Sequence, residues 1–505
     1  MDHNHIYKLR IPIKIGNSVV RVSLIGSLFM VFFQSSYAQN KTFREEYERF
    51  KKQQQEKYDN FRDEANRKYA EFMRAAWDSY QIMPELPKPK EEDRPPVVMP
   101  KEDNKPVEDK PVVIDEVIDI PEPEPQPVPV APIPEQPKPT EHYVSFGFYG
   151  ETLKVRFNDD ERYTLSDIEF STLADQWLRL SGEEYNNTIR DCLELRIRKK
   201  LSDWAYLQLL YKMSQACLGN SNEATMLMAF VYCQSGYKMR LGTANGRIFL
   251  LYASSHLIFD NPYFKVGNTM FYPFNGKEKE MKICAADFPS ERAMSLWISQ
   301  NQDFAYSGSN RRTLQSKQFP NMSVTVCVNK NLIDFYNDYP TSCVNDNKMT
   351  RWAMYANTPI ESELRSSLYP KLKEKLAGLN EKESMERLLN FVQTAFVYEY
   401  DNKVWGGDRA FFAEETLYYP YADCEDRAIF LSRLVRDLLG LDVILVFYPG
   451  HLAMAVCFTQ NVAGDYIMLN GKKYIICDPT YIGAPVGLTM PDMDNATAQV
   501  ILLQK

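Results

Sequence analysis

The sequence predicts an α+β protein, helices packed on antiparallel sheet, and three observations carry that expectation. After Cys424, apolar residues fall at Ala428, Leu431, Val435 and Leu438, one face of a helix. Short apolar runs at 443–447 and 452–458 follow, with the length and composition of buried strands. Asn470-Gly471 is a two-residue hairpin signal, joining residues 465–469 to residues 472–477 as antiparallel neighbours.

The cysteine helix is closed by Gly440, placed where a left-handed cap is usually needed. Cys424 itself stands at the helix N-terminus. Unpaired backbone N–H groups and the helix dipole favour negative charge there, so a thiol is drawn toward thiolate. Gly450-His451 opens the second strand and puts an imidazole base beside that thiol. Asp478 follows the strand 474–477, and Pro479 stops the strand and fixes the aspartate at its end. Cys424, His451 and Asp478 thus supply nucleophile, base and orienter, each at the end of an element. A plain meander would separate His451 from Asp478 by roughly 15 to 20 Å at about 3.3 Å per residue. The triad therefore requires 472–477 to pair antiparallel with 452–458, with 465–469 displaced to the side.

Residues 385–485 resemble the transglutaminase-like superfamily of papain-type cysteine enzymes. The matching residues are Asp423-Cys424-x-Asp426, Gly450-His451 and Asp478-Pro479-Thr480, preceded by an apolar helix at 388–396 and by Tyr398-x-Tyr400. Many relatives carry glycine two before the cysteine, where this chain has Ala422. The resemblance implies a cysteine helix packed on an antiparallel sheet and acyl transfer through a thioester, with Cys424 as nucleophile, His451 as base and later acid, and Asp478 as orienter. The Cys424 backbone N–H at the helix start is one oxyanion donor. Trp405 is a candidate for a second, with aromatic packing as the better-supported role. Gly406-Gly407 beside it gives the mobility of a lid.

A second copy of the frame lies upstream. Shifting Cys424 back to Asn220 aligns Ala428 with Ala224, Leu431 with Leu227, Val435 with Val231, Gly440 with Gly236, Leu445 with Leu241 and Gly450 with Gly246. Asn220 then stands at the cysteine position and Arg247 at the histidine position, and neither does nucleophile or base chemistry at neutral pH. The expectation is a degenerate transglutaminase-like domain at 142–300, a connecting segment at 301–349 and an intact domain at 350–505. Cys217 and His256 are out of register and read as structural.

The N-terminal third reads differently. Lys8, Arg10, Lys14 and Arg21 precede an apolar run at 22–33, and Ser36-Tyr37-Ala38 offers small residues at the cleavage positions: a signal peptide over 1–38. The run is too short to span a bilayer, so the expectation is export to a periplasmic or extracellular location without stable membrane insertion. Residues 39–82 read as a long amphipathic helix with aromatic residues mostly three and four apart. Coiled-coil self-association, docking on a partner and packing on its own globular part are all compatible with it. Residues 83–141 hold most of the 30 prolines and read as an extended linker, reaching more than about 100 Å.

The net charge of −8 gives no footprint for nucleic acid. Nine cysteines lie at irregular spacing, without a Cys-x-x-Cys pair. An odd count leaves at least one free thiol, Cys457 and Cys477 read as buried hydrophobes, and Cys327 with Cys343 is a candidate bridge. No cofactor and no metal site is expected. Protein or peptide substrates are, with hydrolysis favoured over crosslinking because water competes for a thioester. The alternative is a non-enzymatic envelope scaffold built from transglutaminase-like folds.

Overall fold

The computed structural model describes residues 13–15, 18–20, 37–75, 77–90, 95–101, 107–135, 142–493 and 498–504. The apolar run at 22–33, on which the signal-peptide expectation rests, lies outside the described residues. The chain divides into two compact units, Met1–Lys57 and Tyr58–Lys505. In the first, Ile13–Ile15 pairs with Ser18–Val20, and the helix Tyr37–Arg74 begins. The second mixes helix and strand, an α+β composition. Among the described residues no helix is long and apolar enough to cross a membrane.

The cysteine helix, Cys424–Leu439, ends on Gly440 at φ +68°, a left-handed conformation that a β-carbon would disfavour. It packs on the hairpin Asp442–Tyr448/His451–Cys457. Lys472–Cys477 pairs antiparallel with the far side of His451–Cys457, and Asp465–Leu469 is displaced outward onto Lys472–Cys477. Ala498–Leu502 pairs with Asp442–Tyr448 on the other flank. Asn470 and Gly471 take φ +51° and +77°, the signs that a primed two-residue turn requires.

A first sheet repeats this order. Asn222–Gln234 is followed by the hairpin Met239–Ala244/Arg247–Ala253. The hairpin Phe264–Val266/Thr269–Pro273 lies against Arg247–Ala253, and Glu280–Ile283 lies against Met239–Ala244. Strand for strand, the inner parts of the two sheets follow one order. One apolar cluster runs through both halves, from Ala65 through Trp177, Phe230, Trp352 and Phe430 to Ile501.

The N-terminal helix is shorter than expected. It stops at Arg74, and Asp78–Gln81 instead forms an edge strand on Glu280–Ile283. Its buried side chains include Ala65, Tyr69, Ala70 and Met73, whereas Phe61 and Phe72 stay exposed. Over this stretch the helix packs on its own globular part.

The proline-rich segment departs most from expectation. Residues 107–135 are a belt laid on the globular body, not a free spacer. Lys110–Pro111 pairs with Asp465–Leu469 at one edge of the second sheet, and Ile114–Ile118 pairs with Ala498–Leu502 at the other, both in parallel. Val112, Ile118, Ile120, Ala131 and Ile133 are buried. The composition misleads because proline is tolerated on an edge strand, where its missing N–H faces away from the ladder. Between the prolines, Val and Ile supply enough apolar surface to dock. None of the nine cysteines is in a disulfide, and Cys327 donates to the Ser309 carbonyl at 3.0 Å, so the candidate bridge to Cys343 is not formed.

Candidate active site

Cys424 is the first residue of its helix. Asp423 caps the helix, its carboxylate accepting from the Asp426 N–H at 3.5 Å, while the Asp426 carboxylate accepts from the Asp423 N–H at 3.3 Å. This reciprocal capping box satisfies two end donors and fixes where the helix begins. His451 is the first residue of the next hairpin's second strand, directly opposite Tyr448, after a turn in which Gly450 takes φ +75°. The pairing of Met454 with Cys477 carries Asp478 back along the sheet toward His451.

The result is a hydrogen bond of 2.9 Å between His451 Nε2 and Asp478 Oδ2. A carboxylate only accepts, so Nε2 is the protonated nitrogen and Nδ1 carries the lone pair. Nδ1 is buried and makes no hydrogen bond within the protein, which leaves it as the basic atom. Asp478 Oδ1 accepts from the Thr480 and Tyr481 N–H groups at 2.8 and 3.1 Å, a turn that fixes the carboxylate's direction. Cys424, His451 and Asp478 are enclosed, at 2%, 1% and 2% exposure. Cys424 Sγ donates to Glu425 Oε2 at 3.3 Å.

Carboxylates crowd this helix start. Oxygens of Asp401, Asp423 and Glu425 lie within 4.8 Å of one another, and all three residues are buried. Asp401 Oδ2 accepts from the Arg409 N–H at 2.6 Å, and Asp426 Oδ1 accepts from the Phe411 N–H at 2.8 Å. Such hard oxygens are the donor type for a divalent cation like calcium. For Asp426, burial and the charges of Asp401 and Glu425 push the pKa well above the usual carboxylate value. Its neutral form is favoured, which lessens the negative charge opposing a Cys424 thiolate.

Trp405 packs edge-on against Phe411 and Tyr419, and the Arg409 guanidinium lies 4.3 Å from its ring centre. It also lines a cavity of about 640 Å³ together with Gly406, Gly407, Asp401, Pro87 and Lys88. His256 is buried, its Nε2 3.3 Å from Ser295 Oγ, and Cys217 sits in the core beside Met213.

Two residues that sequence reasoning passed over bind the site together. Gln393 lies on the helix Glu381–Ala395 at 1% exposure and reaches the turn that carries Asp478. Arg427, also 1% exposed, donates to the carbonyls of Ala422, Gln393 and Phe396. The signal for Gln393 was a polar residue inside the apolar stripe formed by Leu388, Leu389, Val392 and Phe396. No family model matches this chain, and no curated protein matches it either.

Proposed function

We propose that this chain is an exported cysteine-nucleophile enzyme with a transglutaminase-like core, transferring acyl groups from amide or peptide bonds through a thioester. The His451–Asp478 hydrogen bond of 2.9 Å carries the reading, because it leaves Nδ1 as the basic nitrogen in the half of the molecule that holds Cys424. In the reaction, Nδ1 takes the Cys424 thiol proton and Sγ attacks the substrate carbonyl. The Cys424 N–H stabilises the oxyanion at the helix start. The imidazolium returns its proton to the leaving amine, and the C–N bond breaks to give thioester and free amine. Nδ1 then deprotonates water, hydroxide attacks the thioester, and the carboxylic acid leaves as Sγ recovers the proton. Asp478 stabilises the imidazolium throughout. Hydrolysis is preferred to crosslinking, since water competes for a thioester unless an amine site excludes it. The upstream sheet is read as a degenerate copy of the same core.

Alkylation by iodoacetamide, mapped peptide by peptide, tests this. Cys424 is expected to react faster near pH 7 than the more exposed Cys327 and Cys457, and His451→Ala is expected to remove the excess. Equal, slow alkylation of Cys424 in both proteins rejects the enzyme. The second reading, a binding scaffold, is favoured by the carboxylates of Asp423 and Glu425, which oppose a neighbouring thiolate. It predicts that slow result.

A further inference from the structure

We propose that Gln393 is a positioning residue for this site, holding the Asp478 turn in register with the helix that carries Cys424. The proposal rests on the cysteine–histidine reading above. The Gln393 side-chain amide spans the turn from several sides. Its Nε2 donates to the carbonyl oxygens of Asp478, Tyr481 and Ala484 at 3.0, 2.8 and 3.1 Å, two N–H groups shared among three acceptors. Its Oε1 accepts from the Gly483 N–H at 3.1 Å. Gly483 takes φ +82°, so the turn bends back over the amide in a conformation that side chains disfavour.

The same residue is tied to the nucleophile. The Gln393 backbone carbonyl accepts from Arg427 Nη1 at 3.2 Å, and Arg427 Nε donates to Ala422 O at 3.1 Å, two residues before Cys424. One short path therefore runs from the cysteine loop through Arg427 and Gln393 to the backbone of Asp478. Both side chains are buried, where water does not substitute for a lost partner, so these bonds act together with the Thr480 and Tyr481 N–H groups in holding the turn. Asp478 is useful only while its Oδ2 meets Nε2 of His451, and misplacement by about 1 Å is enough to cost on the order of 100-fold in a reaction. Gln393 touches no reacting atom. Its effect passes through Asp478.

The test uses the full chain and the rate of Cys424 alkylation by iodoacetamide as a function of pH. Gln393→Met keeps volume and removes every donor and acceptor. It is expected to slow Cys424 alkylation about 10-fold at pH 7 and to raise the pH midpoint toward that of an ordinary thiol, about 8.5. Because the effect is routed through Asp478, adding Gln393→Met to Asp478→Asn should produce little further slowing. Leu388→Ala, a cavity on the same helix, serves as a stability control and should leave the pH midpoint unchanged. Where Gln393→Met does not fold, Gln393→Glu is read instead, since it keeps the acceptor for Gly483 and loses the donors.

Unchanged rate and midpoint in the folded variant overturn the proposal. So does full additivity with Asp478→Asn, and so does failure of both variants to fold, which makes Gln393 a structural residue only. His451→Ala separates the two levels. If it alkylates like the wild type, the cysteine–histidine reading falls. If it is slow while Gln393→Met is normal, only the role of Gln393 falls.

Discussion

The hairpins Met239–Ala244/Arg247–Ala253 and Asp442–Tyr448/His451–Cys457 share a frame and differ in what fills the gap between helix and strand. In the first, Asn222 at the helix start closes the gap itself. Its Nδ2 donates to the Gly246 carbonyl and its Oδ1 accepts from the Ile248 N–H, both at 3.0 Å. In the second, Cys424 starts the helix, and the facing strand begins with His451, held by Asp478. Leu251 pairs with Pro273 and Ala455 with Ile476, which places Asn275 at the station of Asp478. Asn220, Arg247 and Asn275 thus stand at the stations of Cys424, His451 and Asp478 while the sheet order persists. The frame forms without a cysteine, a histidine or an aspartate at those three stations.

The contrast is broken most severely at the base. His451→Ala should slow Cys424 alkylation at pH 7 by up to about 30-fold, the range set by an ordinary thiol of pKa about 8.5 being only about 3% thiolate there, whereas Arg247→Ala should leave it unchanged; peptide-mapped alkylation rates read both. Next comes Arg427, whose counterpart by the same shift is Glu223. Arg427→Met strands three buried carbonyls and should destabilise by about 3 kcal/mol. Glu223→Gln keeps an acceptor for the Leu165 N–H and should cost less than about 1 kcal/mol, both measured by urea unfolding.

A third comparison sets the two buried histidines against each other. Burial lowers the His256 pKa to about 3, so the folded state holds it neutral. A base with a depressed folded pKa binds fewer protons folded than unfolded between that value and about 6.5. Its contribution is therefore present above pH 6.5 and lost as pH falls toward 3. His256→Gln should spare roughly 3 kcal/mol of the loss between pH 7 and pH 4, read from unfolding midpoints, with Cys424 alkylation unaffected. The smallest effect is a deliberate failure: Asn220→Cys with Arg247→His should gain no fast-alkylating thiol. Asn275 cannot act as the carboxylate orienter, and the helix there begins at Asn222, two residues after the new cysteine. Rapid alkylation at 220 would mean that the frame alone confers reactivity.

Much of this was legible because it is local. Gly440, Asn470-Gly471 and the period-3.6 stripe after Cys424 each act within a few residues, and the structure forms the elements they specify. The strand pairing beside His451 followed from requiring one hydrogen bond. What stayed hidden depends on distant partners. The carboxylate of Asp401 joins those of Asp423 and Glu425 only after folding, and Gln393 has meaning only once the Asp478 turn folds over it. The helix expected through residue 82 stops at Arg74 because the following residues find a sheet edge in Glu280–Ile283. For the belt, proline content points to a free spacer, whereas the valines and isoleucines between the prolines dock it on the sheet edges.

That belt has a consequence for the order of assembly. Asp109 accepts from the Gly464 N–H across a sequence separation of 355 residues, and Glu116 accepts from Gln499 across 383. Ribosomes make the belt well before its partners, so both outer edges of the second sheet must wait for the strands Asp465–Leu469 and Ala498–Leu502. Closure between such distant segments is slow relative to local pairing. Until those strands are made, the belt's Val112, whose buried cluster otherwise lies between Ile444 and Val500, stays uncovered on the nascent chain.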